Sequence, residues 1–328
     1  MAIVKRHRWV YFILFGVIFW GAMTSSRCRR ETPHPYTVGL VTWVGYGPIY
    51  IAQEKHFFRD AGLDLIVRIL DDPGAREAAY QADQLDFFPN TPDAFTIFFS
   101  SQQPHGKIVA ALDESQGADG VVAKKEVATI ADLRGKRVGF QKGITSHFLL
   151  LYLLNNAGLT GADVQQVDLS AGDAGAAFAA GRLDAAVTWE PWLTVARKSP
   201  DSRVLATSLD APGLIVDCVL ASDRAMGNNG DAVKRFMSAW FRAVEFMKTN
   251  PGESQAIIAR NFKMPPAQVG EMLTTTKFLS REQSITYLQR DLSGVFNNAT
   301  RLYLSNHVIR KPPQVSNVID TTPLKAIK

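Results

Sequence analysis

The feature that most restricts this chain is an echo between two of its parts. Asp60-Ala61-Gly62-Leu63 is answered 96 residues on by Asn156-Ala157-Gly158-Leu159. Gln84-Leu85-Asp86-Phe87-Phe88 is answered 98 residues on by Arg182-Leu183-Asp184-Ala185-Ala186. In each place Leu-Asp opens a short apolar run, and a proline follows (Pro92; Pro191) where a helix starts. One four-residue match is chance, but matched order and spacing over about 100 residues means two half-molecules built on one plan. Two such halves predict two lobes with a cleft between them.

Around the echo, apolar runs and helical spacings alternate, the mark of an α/β fold. Strands are expected at 36–43, 63–70, 86–88, 107–112 and 136–140, and helices at 48–58, 73–82, 93–101 and 146–156. Pro48 sits near the first turn of its helix, where a missing N–H costs little. Beyond 219–222 the pattern turns helical, at 232–248, 253–262, 266–273 and 288–306. The tail from Lys311, polar and proline-containing, is expected to lie on the surface as a strap.

Residues 1–30 read as a separate segment. Lys5, Arg6 and Arg8 precede an apolar run from Trp9 to Met23, and Thr24-Ser25-Ser26 follow it. That is the layout of a secretory signal, and the run is shorter than the ~20 residues that span a bilayer. Because Arg27, Arg29 and Arg30 come next, an N-terminal anchor stays open as the alternative. Cys28 stands where a lipidated cysteine would, but Arg27 occupies the preceding position, which wants a small residue. Of the 36 Lys and Arg in the chain six lie in 1–30, leaving 30 against 31 acidic residues. The net charge of +5 therefore belongs to targeting, and no nucleic-acid partner is implied. The expected location is periplasmic or otherwise extracytoplasmic.

The linear signatures of catalysis are missing. There is no Gly-Lys-Ser/Thr phosphate loop, GxSxG elbow, HExxH or CxxC pair. The six histidines are scattered, without metal-ligand spacing. Cys218 lies in the apolar stretch 214–220 and reads as a small buried hydrophobe, so with Cys28 it makes neither a disulfide framework nor a metal site. The chain reads as a non-enzyme without cofactor or metal.

Four loops fall where strands hand over to helices, the ligand edge of open α/β sheets. In the first, 42–48, Gly45 lets backbone approach a ligand, while Trp43 and Tyr46 offer flat faces with polar tips; two core aromatics on a tight turn are the competing reading. In the second, Asp113, Glu114 and Asp119 crowd beside an apolar strand, as ligand carboxylates or as a solvated hinge loop. In the third, Thr145 or Ser146 is expected to cap the next helix, whose open amides beside His147 suit an anionic group. In the fourth, Trp189 and Glu190 pair an indole with a carboxylate, a cover for a cationic or amide-bearing ligand, whereas Trp192 is expected in the core. Asp217, a lone acid in an apolar run, must be paired or face a cavity.

These segments resemble the nitrate/sulfonate/taurine (NMT1/THI5-like) group of ABC-importer solute-binding proteins. The resembling stretches are GYGPIYIAQEKHFF with DAGLDL, DESQGADGVVAKK with ATIADLRGKRVG, GITSHFLLLYLLNNAGL, AFAAGRLDAAVTWEPW and PGLIVD, across residues 36–220. The resemblance implies a type II periplasmic-binding-protein fold, with residues 36–117 plus 221–328 as one lobe, 118–220 as the other, and hinge strands near 118–123 and 216–222. It implies a monomer that closes on a small-molecule solute and docks on a membrane permease. The carboxylates tip the solute toward a small nitrogenous or cationic compound, with aliphatic sulfonates, taurine or nitrate next. A thiamine-pyrimidine enzyme of the same fold and an anchored sensor domain are the rivals; the first wants a cysteine-rich motif that is not found here.

Overall fold

The structure is a computed structural model that describes residues 34–102 and 105–327. The expected signal or anchor, with Cys28, lies outside them.

Eleven strands are laid down in chain order: β1 Tyr36–Leu40, β2 Leu65–Ile69, β3 Phe87–Asn90, β4 Lys107–Ser115, β5 Asp119–Lys124, β6 Arg137–Phe140, β7 Gln165–Asp168, β8 Ala185–Trp189, β9 Ser202–Thr207, β10 Val216–Ala221 and β11 Thr276–Phe278. They form two sheets, ordered β11-β4-β10-β3-β1-β2 and β7-β6-β8-β5-β9. Each sheet has a parallel trio, β2-β1-β3 in one and β7-β6-β8 in the other. In each, a strand adjoining a crossing (β10; β5) pairs antiparallel with the third member of the trio and then with one more strand. The chain passes between the sheets through residues 116–118 and returns through 208–215.

The echo has a physical cause. Asp86 Oδ2 accepts from the Thr37 amide of β1 at 2.9 Å, and Asp184 Oδ2 accepts from the Arg137 amide of β6 at 2.9 Å. Leu85 and Leu183 lie over Gly39 and Gly139, where an added Cβ would fall 2.5 and 2.4 Å from a leucine Cδ1. The same Leu-Asp joint locks the first strand of both halves: the carboxylate satisfies an edge amide, and the leucine fills the space that glycine leaves.

Two expectations about elements are corrected. β1 ends at Leu40, and Val44–Tyr46 forms a short 3-10 turn, because Asp71 Oδ1 takes the Thr42 amide at 2.7 Å. β4 runs past residue 112 to Ser115, so Asp113 and Glu114 are strand residues paired with β10 and β11. The backbone of 113–115 finds ladder partners on both sides, which a loop would not supply.

The C-terminal helices knit the two sheets. Phe236 of the helix Asp223–Thr249 stacks on Phe87 of β3, with ring centroids 4.3 Å apart. The helix Leu292–Ser305 packs Phe296 near Phe99 on the first sheet's side and Tyr303 on Phe148 on the second's. The tail lies along β4, where Ile108 donates to the Val318 carbonyl at 2.7 Å and its own carbonyl accepts from Asp320. It is the strap the composition suggested.

Candidate ligand-binding site

A cavity of about 30 Å³ lies between the two sheets. That is room for about two waters. Trp43, Tyr46 and Thr91 wall it from the first sheet's side, Asp119, Thr145 and Trp189 from the second's, and Asp217 lines it from β10. Two hydrogen bonds bridge the cleft. Trp189 Nε1 donates to the Thr42 carbonyl at 3.0 Å, and the Thr91 and Thr145 hydroxyls meet at 2.9 Å. On its far side Trp189 also lines a groove of about 370 Å³ with Trp192, Asp71 and Gln141. The indole therefore stands as the partition between the chamber and the groove.

The chamber is acid-lined. The Tyr46 hydroxyl donates to Asp217 Oδ1, and Trp43 Nε1 donates to Asp113 Oδ1 at 3.2 Å. Asp113 and Asp217 are register partners across β4 and β10. Burial pushes the Asp217 carboxyl up to about 7, although the Tyr46 hydroxyl and the Arg76 charge pull it down. Burial pushes Asp119 up to about 8, reinforced by the charges of Asp217, Asp93 and Glu190 and opposed by the Ser115 hydroxyl. Asp113 is raised by burial and by Asp217. Asp119 Oδ2 has no hydrogen-bond partner. Acids held neutral in this way ionise readily once a cation arrives to pair with them.

Of the other candidates, Gly45 and Asp113 stand one layer behind the chamber. A Cβ on Gly45 would come 2.1 Å from Trp43 Nε1 and 2.5 Å from Asp113 Oδ1, so glycine is needed for that indole–carboxylate pair to form. Glu114, the next residue along β4, points away to Lys277 Nζ at 3.1 Å and the Gly213 amide. Glu190 turns back on its own chain, accepting from the Thr194 amide and hydroxyl at 2.9 and 3.0 Å.

The capping expectation is corrected: neither Thr145 nor Ser146 caps the helix Thr145–Asn156, whose N-cap position is Ile144. Thr145 is spent on Thr91, and Ser146 closes its own loop through the Gln141 amide and carbonyl. His147 stacks on Phe140 and accepts from the Gly143 amide. Burial, with Lys142 nearby, holds its imidazole down to about 4 and thus neutral. Cys218 is fully buried, as read.

Arg76, Asn90 and Thr91, which lie outside the four loops, also line the chamber. Arg76 lies four residues before the buried Tyr80 in the helix Pro73–Gln81, so helical spacing alone puts it on the inward face. Asn90-Thr91 closes β3 as Thr188-Trp189 closes β8, and the Leu-Asp echo marks that equivalence. Among the described residues no group of His, Cys, Asp and Glu is arranged to hold a metal, and no helix is long and apolar enough to cross a membrane.

This architecture has counterparts. The chain is 28% identical over 284 residues to a protein of Brucella abortus (strain 2308) provisionally named a binding protein, covering 85% of this chain and 88% of that one. It is 26% identical over 211 residues to the taurine-binding periplasmic protein of Escherichia coli K12, covering 61% and 63%. The structure of the alkanesulfonate-binding protein SsuA from Xanthomonas axonopodis pv. citri, bound to MOPS, superposes with a TM-score of 0.73 at 21% identity, covering 88% and 98%. The two-lobed fold is thus the periplasmic-binding-protein fold. The profile of the family described as NMT1/THI5 like matches residues 43–254, well over half of the sequence, and the chain belongs to that family.

Proposed function

We propose that this protein captures a small nitrogenous solute, cationic or amide-bearing, and delivers it to the membrane permease of an ABC importer. At the coarser level the chain is a solute-binding protein of ABC-type import, related to sulfonate-, taurine- and nitrate-binding proteins. The nitrogenous solute rests on one observation: Asp119, with an unpartnered oxygen, and Asp217 line one chamber between the two sheets. Aliphatic sulfonates, taurine and nitrate come second, favoured by the names of relatives and by the uncapped helix start at Thr145. In this reading residues 36–117 with 216–328 form one moving body and 118–215 the other, β10 going with the first sheet to which it is bonded, and they close on the solute as a monomer. Residues 1–30 direct export.

A thermal-shift panel on the purified protein tests this, setting guanidine, urea and small amines against alkanesulfonates, nitrate and bicarbonate, which lack a basic nitrogen. A compound that binds only the folded state raises the melting temperature. Shifts confined to the nitrogenous set are expected. A shift with sulfonates or nitrate alone overturns the solute class, and silence from both sets overturns it too.

Trp189 gives a second check. Trp189→Ala removes the partition and joins the chamber to the groove, so solute affinity should fall by at least ~30-fold, the scale of a buried tryptophan hot spot. Trp189→Phe, which keeps a ring but loses the bond to Thr42, should fall between the two. Both variants should still melt in one cooperative step, and unchanged affinity in the alanine variant would take Trp189 out of the site.

A further inference from the structure

Arg76 is a charged residue that has given up water while two of its donor nitrogens lack an acceptor. It is 2% exposed, and its Nε and Nη1 have no hydrogen-bond acceptor. Its guanidinium carbon sits 5.2 Å from the centre of the Phe88 ring, and its head lines the chamber. Asp217 lends a nearby charge but no hydrogen bond to Nε or Nη1. A buried guanidinium with unmet donors is costly, and an oxyanion is the group whose geometry it suits. The same chamber holds an unmet acceptor of opposite sign, Asp119 Oδ2.

We infer that Arg76 receives an anionic group of the solute, so that the solute is a compact zwitterion. A carboxylate or sulfonate faces Arg76, and a protonated nitrogen faces Asp119. This rests on the nitrogenous-solute reading and sharpens it. A cation alone would leave the Arg76 donors unmet and add a second positive charge to the chamber. An anion alone would leave Asp119 Oδ2 unmet. A solute with both poles meets both orphans.

Calorimetric titration with matched probes tests the inference on the wild-type protein. Guanidinium and ethylammonium carry the nitrogen end only, acetate and methanesulfonate the anionic end only. Guanidinoacetate, β-alanine and taurine carry both, and their order distinguishes a carboxylate from a sulfonate. The best two-ended probe should bind at least tenfold more tightly than either of its halves. Arg76→Gln should cost that probe roughly 10- to 100-fold, the loss of one or two charge-assisted bonds. Guanidinium binding should hold or improve in the same variant, since a like charge has gone. Arg76→Lys, which keeps the charge but not the planar donors, should recover part of the loss.

Guanidinium binding as tightly as guanidinoacetate overturns the inference and leaves the nitrogenous reading in place. Equal losses for both probes in Arg76→Gln, with a lower melting temperature, also overturn it and make Arg76 a packing residue. Anion-only probes binding best overturn the nitrogenous reading as well. No binding by any probe overturns both.

Discussion

Asp119→Asn should weaken binding of a cationic or zwitterionic solute by ~30-fold or more, while leaving the melting temperature near wild type at about pH 4 and raising it at pH 6.5. Removing one partner of a desolvated charge pair costs about 2–5 kcal/mol, and ~30-fold is the lower end of that range. The fold should tolerate the change because burial, with the charges of Asp217, Asp93 and Glu190, already holds this carboxyl neutral up to about 8. In the folded state the substitution replaces one neutral, nearly isosteric group with another, and at pH 6.5 it also removes the cost of taking up a proton on folding.

The pH dependence carries a sign that tells cation from anion. In the unfolded chain Asp119 titrates near 3.9, and in the folded protein near 8. Between those values the folded state holds the extra proton, so stability is full below about 4 and is withdrawn as pH rises toward 8. Asp217, raised to about 7, adds to the same slope. His147, depressed to about 4, acts the opposite way, but its effect ends near 6.5. Between pH 6.5 and 8.5 the wild-type melting temperature should therefore fall, and Asp119→Asn should flatten that fall without abolishing it.

Solute affinity should move against stability over the same window. A cationic nitrogen needs the ionised carboxylate, so it binds more tightly as pH rises and releases a proton below pH 8. Titrations in buffers of different ionisation enthalpy detect that proton. An anion would instead use the protonated carboxyl as a donor and bind more weakly as pH rises. Affinity that falls with pH would replace the nitrogenous solute with a sulfonate or nitrate.

Much of this architecture was readable because repeats leave long-range marks that single motifs do not. The Leu-Asp echo identified equivalent joints at Asp86 and Asp184, and the sheets confirm the equivalence atom by atom. Val38-Gly39-Leu40 and Val138-Gly139-Phe140 belong to the same echo, but three common residues are too short a word to notice. Within the site, the loops were legible and the side-chain directions were not. Asp113 and Glu114 are neighbours, yet the period of two along β4 turns one toward Trp43 and the other toward Lys277. Thr145 and His147 likewise diverge because successive helical residues turn by about 100°. Arg76 went unseen because an arginine on a helix reads by default as solvated, and its partnerless burial makes sense only with a ligand in view.

The largest stability effect is expected at the joint that the echo marks. Asp86 is 5% exposed and accepts from the Thr37 amide at 2.9 Å, Ser222 Oγ at 3.2 Å, and Arg224 Nε and Nη2 at 2.7 and 2.9 Å. Asp86→Ala strips the acceptor from a buried strand amide and a buried serine hydroxyl, a loss of about 2–4 kcal/mol, while Arg224, 47% exposed, is rehydrated and adds little. Its counterpart should matter less. Asp184 binds Lys124 and Arg137, but its own side chain is 21% exposed and its partners are 27% and 48% exposed, so water can replace them. Asp184→Ala should cost about 1–2 kcal/mol. Denaturant unfolding of both variants measures the difference, and solute titration of each folded variant completes the test. Neither residue lines the chamber, so affinity should stay near wild type in both while stability separates them. Equal losses would mean that the two halves bear load alike and that exposure at Asp184 does not relieve it. A loss of affinity at Asp86 would mean that the start of β1 positions Trp43 and Tyr46, coupling the joint to the cleft.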